Sequence, residues 1–265
     1  LDSDTGQGGE GTYPGTGTDN GYNSGGFPYY GTTAFACGMG PAPESEFPYQ
    51  PKDAQNHIIY DPQGEPYCYS PDADWTLDES GRFGIGFELE ESSLLPSPAQ
   101  REGGEGGEPV YRYNEAGTNA IKSELMAGRG VSICFTADQS QPGEELTASY
   151  INPQTWAHYT YDASAPSNHA VTIVGWDDEY AVSNFLEGRQ PEAPGAWIVK
   201  NSWGAQSNAF PNKNDWGLDG YFYISYYDRS LGYAETFDFF TEDTGHDYVY
   251  ADQYDYMTAH SIDIH

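Results

Sequence analysis

The sequence predicts an α+β fold, with the strands concentrated in the second half of the chain. Its 265 residues suffice for one large domain or two modest ones, and 23 Tyr and 6 Trp can build a core. One segment, 119–126, has apolar residues at helical spacing. Apolar runs at 170–176, 196–203 and 220–228 then predict successive strands.

Composition divides the chain into four parts. Residues 1–20 are glycine-rich and polar and predict a flexible lead-in. Residues 21–110 form a first part that ends in the glycine-rich stretch "REGGEGGEPV", predicted to be flexible. Residues 111–240 form a β-rich second part, and 241–265 form an acidic, tyrosine-rich tail or a junction to a further module.

Individual elements follow from local signals. "FPYYGTTAFACGMGPAPESEFPY" suggests a short helix, and "RFGIGFELEE" indicates a strand. The helix at Asn119–Met126 is predicted to have Thr118 or Asn119 as its N-cap and Gly128 as its end. "GVSICFTA" predicts the strand that contains Cys134.

The charge balance excludes whole classes of partner. There are 41 acidic and 10 basic residues, a formal net charge of −31. Nucleic-acid and anionic-membrane surfaces need clustered Lys and Arg, so neither partner is expected. No apolar stretch reaches the roughly 20 residues of a membrane span. We expect a soluble protein that works outside the cytoplasm.

Cysteine usage and acidic runs imply no cofactor or metal. The three cysteines, Cys37, Cys68 and Cys134, allow one disulfide at most, and no Cys/His spacing indicates zinc. Calcium binding by "WDDEY" or "DADWTLDES" is an alternative, but neither has the spacing of an EF-hand loop. A solvated acidic surface is the simpler interpretation.

Two strings place polar side chains at the ends of predicted strands. In "SNHAVTIVGWDD" His169 precedes an apolar run, and in "AWIVKNSWG" Asn201 follows one. An amide can accept the hydrogen bond of one imidazole N–H and leave the other nitrogen for a nucleophile's proton. Each residue alone also fits a structural role, a histidine at the rim of the core or an asparagine that starts a turn.

Together, "NHAVTIVGWDD", "AWIVKNSWG" and "GYFYISYYD" resemble the C-terminal half of papain-like cysteine peptidases. The motifs are most similar to those of the family's secreted bacterial branch. "NSGGFPYYGTTAFACGMGPAPESEFPY" is similar to an earlier segment of that family. The resemblance covers about 22–240 and is strongest over 167–228. It implies a two-lobe fold with an active-site cleft between the remainder of a helical left lobe, 21–110, and a β-rich right lobe, 111–240.

The resemblance also implies roles for individual residues. His169 would be the general base and Asn201 its orienter, with Trp203 covering their hydrogen bond from water. Gly25 and Gly26 would form a backbone ledge for an extended peptide substrate.

Three further residues would surround a substrate side chain. Cys134 and Ala170 would wall the pocket for the side chain two positions before the cleaved bond, and Asn168 would stand at its edge.

The chain departs from the family at the nucleophile. No string matches the C-G-[SA]-C-[WY] pattern or its preceding glutamine. Cys37 runs into Gly-Met-Gly-Pro and follows the Gly25–Gly26 pair, Cys68 lies in a loop-like stretch, and Cys134 lies in a strand. We therefore expect the nucleophilic Cys on an N-terminal segment or light chain that proteolytic processing leaves bound, as a heterodimer. A fragment, or an inactive peptide-binding or surface structural protein, remains the alternative.

Overall fold

A computed structural model describes residues 28–36, 41, 87–102, 110–137, 150–162, 167–201, 217–218 and 220–240. The chain divides into two compact units, one of residues 1–58, 71–92 and 238–265 and one of residues 59–70 and 93–237. Within the described residues the elements are two α-helices, one 3₁₀ turn and ten strands, which confirms the α+β class. The four-part division of the chain stays a prediction.

Each α-helix overlaps a segment predicted to be helical. Helix α1 is Pro28–Ala36, and its Phe35 ring meets Phe239 edge-on at 5.3 Å within the first unit. Helix α2 is Glu115–Met126. Gly128, with φ +86°, ends α2 as predicted, because glycine adopts the left-handed conformation of a helix C-terminus without strain.

Helix α2 begins earlier than the sequence indicates. Its N-cap is Asn114, so the predicted cap at Thr118 or Asn119 is wrong. Gly117 lies inside the first turn because the helix packs closely on the backbone of 96–97. A Cβ on Gly117 would come within 2.5 Å of the Ser97 carbonyl oxygen. Glycine here permits close packing and does not interrupt the helix.

The strands form one large sheet and one small ladder. Their bounds are β1 Glu88–Leu94, β2 Ala99–Glu102, β3 Val110–Tyr113, β4 Val131–Phe135, β5 Ile151–Asn152, β6 Ala157–His158, β7 His169–Asp177, β8 Ala196–Lys200, β9 Tyr221–Ser225 and β10 Gly232–Phe240. The eight-stranded sheet has the order β1-β10-β4-β7-β8-β9-β6-β5. The described part of every segment predicted to be a strand contains one.

The small ladder corrects one prediction. Strands β2 and β3 pair antiparallel, with Arg101 opposite Tyr111 and Glu102 opposite Val110. Both ends of the stretch predicted to be flexible, 101–110, are therefore strand. The residues between them, 103–109, lie outside the described part of the chain.

Strands β4, β7 and β8 form the antiparallel centre of the sheet. Phe135 pairs with His169, Val131 with Ile173, and Ile173 with Val199. Their alternate side chains are fully buried in one core cluster that also contains Trp197, Phe222 and Ile224. The apolar alternation of β4 and the continuous run of β8 explain this burial. The first residue of β7 thus lies at the edge of a packed core.

Among the described helices, none is both long and apolar enough to cross a membrane. The lead-in 1–20 and the tail 241–265 lie outside the described residues.

Candidate active site

His169 and Asn201 meet at one end of the central strands. His169 is the first residue of β7, and Asn201 follows the last residue of β8. Because β7 and β8 are antiparallel neighbours, the start of one adjoins the end of the other, with Thr172 paired to Lys200. His169 Nε2 lies 2.9 Å from Asn201 Oδ1, a hydrogen-bond distance. We call these two residues the His169–Asn201 pair.

The partner atom fixes the histidine tautomer. An amide oxygen only accepts hydrogen bonds, so Nε2 of His169 carries the proton that is donated to Asn201 Oδ1. In the neutral ring Nδ1 then carries the lone pair, on the side of the imidazole away from Asn201. This arrangement suits a general base whose reactive nitrogen is Nδ1.

Burial and hydrogen bonding act in opposite directions on the histidine. Burial lowers the pKa of His169 below its ordinary value of 6.5, since the charged ring loses solvation. The hydrogen bond to Asn201 raises it again, but less. The imidazole is therefore mainly neutral at physiological pH unless a negative charge is placed beside it.

Asn201 is held by its backbone as well as its side chain. Its N–H donates to the Gly220 carbonyl oxygen at 2.9 Å, and only 6% of the residue is exposed. Gly220 has φ +84°, a conformation that L side chains rarely adopt. The turn at Gly220 thus supplies the acceptor that fixes the asparagine at the end of β8.

Asn168 anchors the backbone just before the histidine. Its N–H donates to the Phe135 carbonyl oxygen at 3.0 Å. Its side-chain Oδ1 accepts the Ala137 N–H at 2.7 Å, and its Nδ2 donates to the Ala137 carbonyl oxygen at 3.1 Å. The amide therefore joins the start of β7 to the end of β4. Its place at a pocket edge stays a prediction.

Cys134 and Ala170 are brought together beside the histidine. They are register partners across β4 and β7, next to the Phe135–His169 partners. Successive side chains of a strand point to opposite faces, so Cys134 and Ala170 share the face that Phe135 and His169 do not. Cys134 is 8% exposed, and Ala170 is exposed. Their role as a pocket wall stays a prediction.

Cys134 has the properties of a structural cysteine. Burial raises the pKa of its thiol above the ordinary 9.0, the opposite of what an activated nucleophile needs. Its face of the sheet is also not that of His169.

Several predicted residues fall outside the described part of the chain. These are Gly25, Gly26 and Trp203 of the candidate site, together with Cys37 and Cys68.

The structure adds a buried polar group that sequence patterns missed. Asp228, at the end of "YFYISYYD", is fully buried, and its Oδ2 lies 3.3 Å from Nδ1 of the equally buried His158. The separation along the chain hides this pairing from local motifs. The only sequence signal is a carboxylate that directly follows an apolar, aromatic strand.

Comparisons with known proteins identify the family of the chain. The model of the family "Papain family cysteine protease" matches residues 97–238, more than half of the chain. "Cathepsin B-like CP1" of Giardia intestinalis is 27% identical over 118 residues, which cover 44% of this chain and 32% of that protein. The chain thus spans about a third of the length of this relative.

Two solved structures are also similar. The clostridial cysteine protease Cwp84 after propeptide cleavage is 24% identical with a TM-score of 0.47, covering 80% of this chain and 39% of that chain. The protease and lectin-like domains of Cwp84, a surface layer associated protein of Clostridium difficile, give the same identity and TM-score, with 80% and 35% covered.

The chain belongs to the papain family of cysteine proteases. The matched residues contain both members of the His169–Asn201 pair.

Proposed function

We propose that this chain is the larger part of a cysteine endopeptidase that hydrolyses peptide bonds at a Cys-His-Asn site. His169 is the general base and acid, and Asn201 is its orienting partner. The observation that carries the proposal is the 2.9 Å contact between His169 Nε2 and Asn201 Oδ1, in a chain of the papain family. A neutral amide at this position holds the ring without neutralising a charge on it.

The nucleophile belongs, in this proposal, to an N-terminal segment or light chain that stays bound as a partner. Cys134 is buried, has a raised pKa and lies on the other face of β4 from Phe135, the strand partner of His169. Neither Cys37 nor Cys68 lies in a C-G-[SA]-C-[WY] string, and neither sequence segment has the signal for a helix that starts at the cysteine. A companion cysteine would form the thiolate beside His169, and its charge would raise the histidine's pKa again.

The reaction then follows from these groups. The cysteine thiolate attacks the peptide carbonyl carbon, and the tetrahedral intermediate collapses with breakage of the C–N bond. The His169 imidazolium gives its Nδ1 proton to the leaving amine. A water molecule next attacks the thioester while neutral His169 takes its proton, and the acid product and free thiol are released. Asn201 accepts the Nε2–H bond throughout.

Peptides or proteins are the proposed substrates, and a secreted or cell-surface bacterial location is the proposed setting. The net charge of −31 attracts basic peptides over long range and repels nucleic acids. A preference for basic or neutral peptides should therefore weaken as salt is added.

The test is covalent labelling of the protein as the cell produces it. A thiol-reactive epoxide of the papain-inhibitor class is added, and intact masses are measured under denaturing conditions. We expect a second, smaller polypeptide to gain one inhibitor mass while the 265-residue chain gains none. The matched control is Cys134→Ser, in which the same polypeptide should be labelled to the same extent.

Two outcomes would contradict parts of the proposal. A label on this chain that disappears in Cys134→Ser, or that maps to Cys37 or Cys68, would place the nucleophile here and remove the companion segment. An unlabelled protein without peptidase activity would contradict the proposal that the protein is an enzyme. It would favour an inactive papain-like protein that binds peptides or serves as a surface structure.

A further inference from the structure

A buried carboxylate, that of Asp228, is hydrogen-bonded to Ser230, which contacts the strand end that pairs with His169. Asp228 is 0% exposed and follows β9 in the turn toward β10. It accepts the Thr160 N–H at 2.6 Å, the Ser230 N–H at 2.8 Å and the Ser230 hydroxyl at 2.7 Å. His158 Nδ1 lies 3.3 Å from Oδ2. We call Asp228, His158, Thr160 and Ser230 the Asp228 cluster.

The burial of the Asp228 carboxylate is compensated by its hydrogen bonds. Burying a carboxylate costs several kcal/mol unless hydrogen bonds and an opposite charge offset the cost. Here both oxygens of Asp228 accept hydrogen bonds, and the three donors, the Thr160 N–H and the N–H and hydroxyl of Ser230, come from one neighbouring strand end and one turn. The cluster therefore holds the β9–β10 turn in a single conformation.

Ser230 connects this cluster to both backbone segments beside His169. Its Oγ accepts the N–H of Thr136 at 2.9 Å, and Thr136 directly follows Phe135, the register partner of His169. Its carbonyl oxygen accepts the hydroxyl of Ser167 at 3.1 Å. Ser167 lies two residues before the histidine. One serine thus touches the strand end opposite His169 and the segment that leads into it.

The ring of Phe135 supplies a second connection. Its centroid lies 5.0 Å from that of His158 at 88° and 5.8 Å from that of His169 at 57°. Phe135 is 1% exposed, so its ring cannot move without disturbing both histidines. The buried His158 fixes one side of the ring against which His169 packs.

We propose that Asp228 and Ser230 are positioning residues for His169. They hold Phe135, Thr136 and Ser167 in place, and these in turn keep the His169 imidazole at Asn201 Oδ1 with Nδ1 directed to the nucleophile. The proposal rests on the function proposed above for His169. A misplacement of about 1 Å at a reacting group can cost about 10²-fold in rate, so a loose support would reduce turnover without changing substrate contacts.

The test is Ser230→Ala in the assembled peptidase. It removes the acceptor of the Thr136 N–H and one donor to Asp228. We expect kcat per active site, titrated with the epoxide, to fall about tenfold while KM stays within about twofold. The matched control is Ser225→Ala, because Ser225 is a buried serine whose hydroxyl also accepts a backbone N–H, that of Tyr227. Its kcat should stay within about twofold of wild type.

A second readout is independent of activity. In ¹H–¹⁵N spectra of assembled protein whose reactive cysteine is alkylated, recorded above pH 6.5, wild-type His169 should show one neutral tautomer with the proton on Nε2. Ser230→Ala should broaden this signal or add the Nδ1–H tautomer, whereas Ser225→Ala should not. If the wild-type protein has no peptidase activity, the proposed function fails, and this spectrum still tests the positioning role.

One result would overturn the proposal. A folded Ser230→Ala protein with a lower Tm but wild-type kcat and unchanged His169 signals would make the cluster structural only. If Ser230→Ala does not fold, Ser167→Ala removes only the exposed bond to the Ser230 carbonyl oxygen. We then expect kcat to fall about two- to threefold with the same change of the His169 signals, and no change in either would contradict the proposal.

Discussion

Two histidines pack against the ring of Phe135, and they differ in almost every other respect. His158 is 1% exposed and lies 3.3 Å from the carboxylate of Asp228. His169 is half-buried at the start of β7 and has the neutral amide of Asn201 as its partner at 2.9 Å. One ring is enclosed in a polar cluster, and the other is held at the edge of the core.

The difference shows how the partner decides what a histidine can do. Complete burial of His158 removes its access to any substrate. An amide partner orients the ring but leaves its charge free to change during a reaction. Both histidine rings contact Phe135, with centroids 5.0 Å and 5.8 Å from that of the phenyl ring. The predictions below test this division of roles, from the largest expected effect to the smallest.

His169→Ala should have the largest effect, and on activity alone. Loss of the general base is expected to lower kcat/KM of the assembled peptidase by about 10³-fold or more. The free energy of unfolding should change little, since the ring lies at the rim of the core. Hydrolysis of a fluorogenic peptide measures kcat/KM, and urea denaturation measures the free energy of unfolding. Activity above a tenth of wild type would remove His169 from the reaction.

Asp228→Ala should, unlike His169→Ala, have a large effect on stability. It leaves the donors of Thr160 and Ser230 and the ring of His158 without their buried partner. We expect a loss of about 3–5 kcal/mol in the free energy of unfolding, measured by urea denaturation.

The control for this change is Asp177→Ala at the exposed end of β7. Asp177 also accepts a backbone N–H, that of Glu179, at 2.9 Å, but in solvent. Its replacement should cost less than about 1 kcal/mol. Equal losses of unfolding free energy for the two variants would mean that the buried carboxylate stabilises the protein no more than an exposed hydrogen bond within a turn.

Asn201→Ala should impair catalysis less than His169→Ala. The general base remains, but its ring spends less time in the productive tautomer and orientation. We expect kcat to fall about 10- to 100-fold. Steady-state kinetics on one peptide compare the two variants directly, and a loss as large as that of His169→Ala would give the amide a role beyond orientation.

The His169–Asn201 pair was accessible to sequence analysis because both signals are local. His169 begins one apolar strand and Asn201 directly follows another, so the neighbouring residues of each are enough to place it at a strand end. Antiparallel pairing of β7 and β8 then brings the two residues together. The roles of Gly25, Gly26 and Trp203 were predicted from the resemblance to papain-like cysteine peptidases, and these residues lie outside the described part of the chain.

The remaining features depend on contacts between distant segments. Thr160 and Asp228 are 68 positions apart, and no periodicity connects them. Gly117 resembles a helix breaker in sequence, yet it lies within α2 because the helix packs on the carbonyl of Ser97. Tertiary packing thus overrides local propensity, and a single sequence does not display it.

The smallest effect concerns the pH dependence of stability. Burial holds the pKa of His169 below its ordinary value of 6.5, so the unfolded state binds a proton more readily. The stabilisation is complete above 6.5 and is lost as pH falls through the lower, folded-state pKa. Urea unfolding at several pH values should therefore show a steeper loss in acid for wild type than for His169→Gln.

The measurement requires assembled protein whose reactive cysteine is alkylated, so that no thiolate raises the pKa of His169. The other ionisable groups are the same in both proteins and cancel in the difference. Asn201→Asp sharpens the test, because it gives His169 the type of partner that His158 has. A carboxylate raises the pKa of the ring and should reduce the loss of stability in acid. An unchanged loss in Asn201→Asp would show that burial alone, and not the choice of partner, sets the acid sensitivity that His169 confers.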